Sequence, residues 1–252
     1  MKKIFLFFTI TSVLFVSSCH QDDNNSNNNN TNPQASATSV PTDANGAFYA
    51  GLTNEEIMDE NNVVTGTQDM PTAKAWFGTY TATQHAGTVT VNGETLVDSL
   101  SGYPIPWYNY YGDNLEMFST SSATAQWEVS GSSTVTGFNH TDNTAFPTVT
   151  IAVPSSISIA NSYTLTLANV SADNNGVVVA IGGAGGTNVT KTLAAGATSV
   201  TFTSAELHSV APTAGYPISV NAVVTKYTSA TYNGKKYYFV KQYEVARTST
   251  SE

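Results

Sequence analysis

Val177-Val178-Val179-Ala180-Ile181, closed by Gly182 and Gly183, decides the fold class. Five apolar residues with no polar position among them suit a strand buried on both faces, and the run is too short for a helix. Asp173-Asn174-Asn175-Gly176 before it and Gly182-Gly183-Ala184-Gly185-Gly186 after it are turn chemistry. The glycine stretch is no phosphate cradle. That motif needs Gly-Lys-Ser/Thr opening a helix, and here Lys191 falls inside a strand pattern.

On either side the period is two. Val149, Ile151 and Val153 form one strand face, stopped by Pro154, and Tyr163, Leu165 and Leu167 form another. Val189 to Leu193, Val200 with Phe202, then Ile218, Val220, Ala222 and Val224 continue the series, and Lys236 to Ala246 closes it. Seven strand patterns in roughly 100 residues are the count of an immunoglobulin-like antiparallel β-sandwich, assigned to residues 146–248. Val200-Thr201-Phe202, Leu207 and Tyr216 to Ala222 resemble the later strands of fibronectin type III modules. The resemblance implies the same architecture and nothing about function.

Residues 46–145 read as a second β-rich part. Thr88-Val89-Thr90-Val91 runs into Asn92-Gly93, a type I′ hairpin signal, with Thr95 to Leu100 returning. Ala125, Trp127 and Val129 alternate with polar neighbours. Thr53-Asn54-Glu55-Glu56 has the spacing of a capping box and predicts one short helix to about Glu60. The pattern fits either a separate domain or strands added to the sandwich; two packed β units are the expectation.

The N-terminus carries a different message. Lys2 and Lys3 precede an apolar run, Ile4 to Val16, too short for the roughly 20 residues that span a bilayer. Val16-Ser17-Ser18-Cys19 then resembles a lipobox, with an aliphatic residue, two small ones and a cysteine. Residues 1–18 are therefore expected to be a lipoprotein signal peptide, and Cys19, the sole cysteine, the lipidated first residue of the mature chain. Acyl chains bury about 0.8 kcal/mol per CH₂, so membrane lipid is the implied partner through Cys19. Residues 19–45, rich in Asn, Ser and Thr, cannot bury apolar surface and are expected to be a disordered tether. Gln21-Asp22-Asp23 resembles the acidic export signal of Bacteroidota surface lipoproteins, which implies an outer-membrane protein facing the exterior.

Composition narrows the chemistry. Only 11% of residues are charged and the net charge is −9. Loss of Lys2 and Lys3 with the leader leaves 7 basic against 18 acidic side chains, a net charge of −11. Such a chain repels phosphate backbones, so no nucleic-acid partner is expected. Lys235, Lys236, Lys241 and Arg247 sit in one strand pattern and read as a solvated edge. His20, His85, His140 and His208 form no metal-ligand spacing, and no Gly-x-Ser-x-Gly elbow occurs, so neither a metal, a cofactor nor a catalytic set is assigned.

One segment concentrates binding chemistry. Tyr103-Pro104-Ile105-Pro106-Trp107-Tyr108-Asn109-Tyr110-Tyr111-Gly112-Asp113 has two prolines that bar a central strand. Trp107, Tyr108, Tyr110 and Tyr111 could stack on sugar rings or anchor a protein interface, with Asn109 and Asp113 as polar partners. The competing reading buries these rings in the core. Together these features imply a non-enzymatic, lipid-anchored envelope protein that binds a glycan or a surface protein. A fimbrillin-like structural subunit is the first alternative, with Lys236 to Ala246 as the strand that would complement a neighbour's sheet. A glycan-processing enzyme is the second.

Overall fold

In the computed structural model, which describes residues 40–252 apart from 61–62, 80–81, 99–107, 111–113, 120 and 184–186, the alternating segments are strands. Cys19, the leader and all of the expected tether before Val40 lie outside the described residues. The chain runs through β1 (Gly46–Met58), β2 (Val64–Thr79), β3 (Ala82–Thr83), β4 (Val89–Val91), β5 (Glu94–Thr95) and β6 (Val97–Asp98). β7 (Tyr108–Asn109), β8 (Ala125–Val129) and β9 (Phe138–Asp142) follow. Next come β10 (Thr150–Ile151), β11 (Ser156–Ile157), β12 (Tyr163–Ala168), β13 (Val177–Gly183), β14 (Asn188–Leu193) and β15 (Ser199–Phe202). Helix α1 (Ser204–Val210) leads into two long strands, β16 (Pro217–Tyr232) and β17 (Lys235–Ser251).

The C-terminal part is the expected sandwich. β10-β12-β15 form one sheet and β14-β13-β16-β17 lie consecutively in the other. Leu165, Leu167, Val200 and Phe202 from the first meet Val177, Val179, Ile181, Val220 and Ala222 from the second in one core. β13 is buried at six of its seven positions, as its unbroken apolar run requires. Asn233 (φ 49°) and Gly234 (φ 74°) turn β16 into β17. Both residues need positive φ, as a type I′ hairpin demands. Asn92 (φ 48°) and Gly93 (φ 84°) do the same between β4 and β5, where the sequence places that turn.

The N-terminal part does not make a sheet of its own to face the sandwich. β1 pairs in parallel with β17, from Ala47 opposite Tyr238 to Asn54 opposite Val245. β2, β7 and β6 then extend the same sheet outward. A separate four-stranded sheet, β5-β4-β8-β9, packs against this extension. Every residue that the large sheet gives to either core lies on one face: Phe48, Ala75 and Phe239 for the first core, Val179, Ala222 and Val245 for the second. The two small sheets therefore sit side by side on one continuous sheet. At about 3.3 Å per residue β17 is about 55 Å long, enough to run beneath both. The boundary near residue 145 separates the small sheets and not the large one.

Three expectations change. Thr53 to Glu60 is not a helix, since β1 continues to Met58. Asn54 accepts from Arg247 (2.8 Å) and donates to Asp69 (2.8 Å), and Glu56 accepts from Thr248. The side chains that would cap a helix thus tie β1 to its strand neighbours. The described helix is α1, where Thr203 and Glu206 make the reciprocal capping box. Second, β17 is flanked by β16 and β1, so the strand expected to complement a neighbour is already paired on both sides. Third, Lys241 is no solvated edge residue: only 1% of it is exposed, and its ammonium lies 4.6 Å from the Phe146 ring centroid and donates to the Ala123 carbonyl.

Candidate functional site

Of the aromatic segment, Tyr108, Asn109 and Tyr110 fall among the described residues, while Trp107, Tyr111 and Asp113 lie outside them. β7 pairs with β2 at Lys74 and Ala75 and with β6 at Val97 and Asp98. The period of two then sends Tyr108 inward and Asn109 to the opposite face. Tyr108 is 2% exposed, meets Phe77 edge-on at 5.6 Å and accepts a hydrogen bond from the Ala86 amide (2.9 Å). Burial, reinforced by the nearby Asp98 carboxylate, pushes its phenol pKa up. This ring belongs to the core and is not a ligand platform. Tyr110 is half-buried against the same core, and its hydroxyl accepts from the Asn114 amide (3.0 Å). Asn109 is half-buried on the face shared with Lys74.

His85 stands beside this segment, its Nδ1 3.1 Å from Asp98 Oδ2. A histidine oriented by a carboxylate is half of a hydrolytic triad. Ser132 Oγ donates to the His85 backbone carbonyl at 2.6 Å and not to its ring. That geometry fastens a loop, and among the described residues no serine hydroxyl is bonded to the His85 ring.

The second location is the outer face of the four-stranded sheet. Cross-strand pairing sets Thr95, Thr90, Glu128 and Asn139 in one row. A cavity of about 160 Å³ opens there, lined by Thr88, Thr90, Glu128, Val129, Ser130 and Asn139. Thr90 Oγ1 is buried and has no hydrogen-bond partner among the described residues, although such a group normally costs about 1–3 kcal/mol when left unpaired. Hydroxyl, carboxylate and amide side chains line the space, so it offers both hydrogen-bond donors and acceptors. In the sequence these residues are the solvent half of an alternating pattern, and no signal distinguishes them from an ordinary wet sheet face.

The chain matches no protein-family model and no curated protein.

The third location is the face of the large sheet opposite both cores. Ala44, Ala47, Trp76 and Tyr238 cluster there with Val40, Tyr49 and Tyr227 around them. Glu244 shares this face, with one carboxylate oxygen buried and without a hydrogen-bond partner among the described residues. Burial first, then the charge of Glu55, raises its pKa to about 7, and Lys74 opposes the shift. Burial lowers Lys74 itself. Among the described residues no group of three His, Cys, Asp or Glu is placed to hold a metal ion.

Proposed function

We propose that the chain is a lipid-anchored protein of the outer cell envelope that binds a glycan on the outer face of its four-stranded sheet. The anchor reading rests on the sole cysteine standing at the end of a lipobox-like Val16-Ser17-Ser18-Cys19, with a polar tether behind it. The observation that carries the ligand class is the cavity on the outer sheet face, whose lining is polar at Thr88, Thr90, Glu128, Ser130 and Asn139. A saccharide brings both donors and acceptors, so its hydroxyls can donate to the exposed Glu128 carboxylate and exchange with the Asn139 amide. At about 160 Å³ the space is smaller than the usual 300–1,000 Å³ of a drug-sized pocket, which suits one sugar unit of a longer chain.

The test is glycan-array binding by the mature protein, with native material checked by mass spectrometry for a diacylated Cys19. Glu128→Ala with Asn139→Ala should weaken the best ligand at least tenfold, because two of its hydrogen-bonding groups disappear. Trp107→Ala with Tyr110→Ala should reduce it further if the ligand extends past one sugar. Binding unchanged in both double variants would remove the glycan reading, and a free thiol at Cys19 would remove the anchor.

A further inference from the structure

The β1–β2 hairpin reaches beyond the sheet that holds its base. β17 supports β1 only as far as Asn54, and β7 supports β2 only at Lys74 and Ala75. Past those points the two strands pair only with each other among the described residues, to Met58 opposite Val64. An isolated two-stranded ribbon is marginal in water, yet this one is fastened at its root. Arg247 donates to the Asn54 carbonyl and side chain, Asn54 donates to Asp69, and Thr248 donates to Glu56. At the far end Asp59 accepts from the Val63 amide (2.9 Å) and Thr65 donates to the Ile57 carbonyl (3.1 Å).

This ordered projection ends in apolar side chains. Ile57, Met58, Val63 and Val64 are between 41% and 57% exposed, and they are four of the seven exposed large hydrophobics among the described residues. Met58 and Val64 pair across the ribbon and Ile57 projects from its other face, so both faces of the hairpin's end carry apolar exposure on a fixed element, which marks an interaction surface. Its surroundings define the partner. Glu55, Glu56, Asp59, Glu60 and Asp69 belong to the hairpin, and no lysine or arginine occurs between Lys3 and Lys74. A second copy would bring the same acids against these. A bilayer would bring anionic head groups. A protein surface with an apolar pocket rimmed by lysine and arginine matches both the tip and its charge. The outer edge of β2 is unsuited to strand addition, since Pro71 lies along it and the register shifts next to Met58.

We infer that the tip of the β1–β2 hairpin, Ile57, Met58, Val63 and Val64 within their acidic rim, docks into a basic-rimmed apolar pocket of a different envelope protein. The site is distinct from the glycan surface and does not depend on it. A photo-crosslinking residue placed at Val63 in the full-length protein in its own cells should yield one discrete product with another protein. The same probe at Leu115, exposed elsewhere, should not. The captured protein, purified, should bind the wild-type mature chain, and binding should weaken at least tenfold with Ile57→Ser plus Val64→Ser and fall with added salt. Val63→Lys should weaken it more than Val63→Glu, because lysine opposes the basic rim. Both changes at Val63 lie in the turn, outside the strands, and keep the test valid if the double serine variant loses its hairpin. Crosslinks only to a second copy, crosslinks only to lipid, no product at Val63, or equal binding by Lys and Glu variants would each overturn the inference.

Discussion

Phe48→Ala is expected to cost about 3–5 kcal/mol and to lower one melting transition shared by the whole described body. Phe48 is fully buried on β1 and stands at the centre of an aromatic group. Its ring lies 5.3 Å from Phe77, 5.0 Å from Trp127, 5.7 Å from Phe138 and 4.9 Å from Phe239. These partners come from the large sheet and from the four-stranded sheet, so the deletion opens a cavity where the two layers meet. Edge-to-face pairs add about 0.5–1.5 kcal/mol each beyond area burial. The loss propagates because β1 is bonded along β17, and β17 also serves the other core. For a body of this size the shift in Tm is roughly 6–20 °C. Calorimetry, with hydrogen exchange followed at Phe77 and Val179, checks it. Two separate transitions, with the Val179 region untouched, would show that the shared sheet does not couple the two cores.

That coupling could not be read from the sequence, whereas most of its parts could. Strand character follows from alternation, and the sandwich of residues 146–248 was visible in Val177 to Ile181 and its neighbours because burial on one or two faces writes a period into the chain. Turn chemistry was equally local: Asn92-Gly93 adopts the positive φ its residue types invite. Which strand joins which sheet is a different kind of fact. β1 and β17 lie at opposite ends of the described chain, and their parallel register depends on partners that no short window contains. The same limit explains the misplaced helix. Thr53-x-x-Glu56 and Thr203-x-x-Glu206 share one capping spacing, yet only the second caps a helix. Arg247, Asp69 and Thr248 claim the first segment for a strand, and tertiary pairing outweighs a cap worth about 1 kcal/mol. The candidate site was harder still. From sequence Tyr108 could face a ligand or plug the core, and only its pairing with β2, which turns the ring inward, decides between them. Thr90, Glu128 and Asn139 come together only across three strands.

Lys241→Met should stabilise the protein at neutral pH by about 1–2 kcal/mol. The ammonium of Lys241 is buried between Phe118 and Phe146 with the Ala123 carbonyl as its acceptor, and among the described residues no carboxylate forms an ion pair with it. Burial pulls its pKa from 10.5 to about 8, and the charge of Asp142 only partly opposes this. Holding the charged form in that place costs on the order of 3 kcal/mol at 1.36 kcal/mol per pH unit. The hydrogen bond and ring contacts that methionine loses return about 1–2 kcal/mol, and its thioether packs well against aromatic rings. The sign with pH follows from proton counting. Below pH 8 both folded and unfolded chains hold the proton, and the folded state carries the full burial cost. Between about 8 and 10.5 the unfolded chain keeps a proton that the folded chain has released, so stability rises with pH. Lys74 contributes in the same direction and remains in the variant, so the informative quantity is the difference between the two curves. Buried tyrosines act oppositely above pH 10, Tyr49 with a pKa raised to about 12 among them, which leaves pH 8 to 10 as the clean window. Urea titrations across that window should show the wild type gaining stability and Lys241→Met gaining markedly less. A variant that is weaker at pH 7 and keeps the full slope would mean that Lys241 is held by its carbonyl and ring contacts more firmly than its burial opposes it, and that the lysine stabilises the seam between the cores.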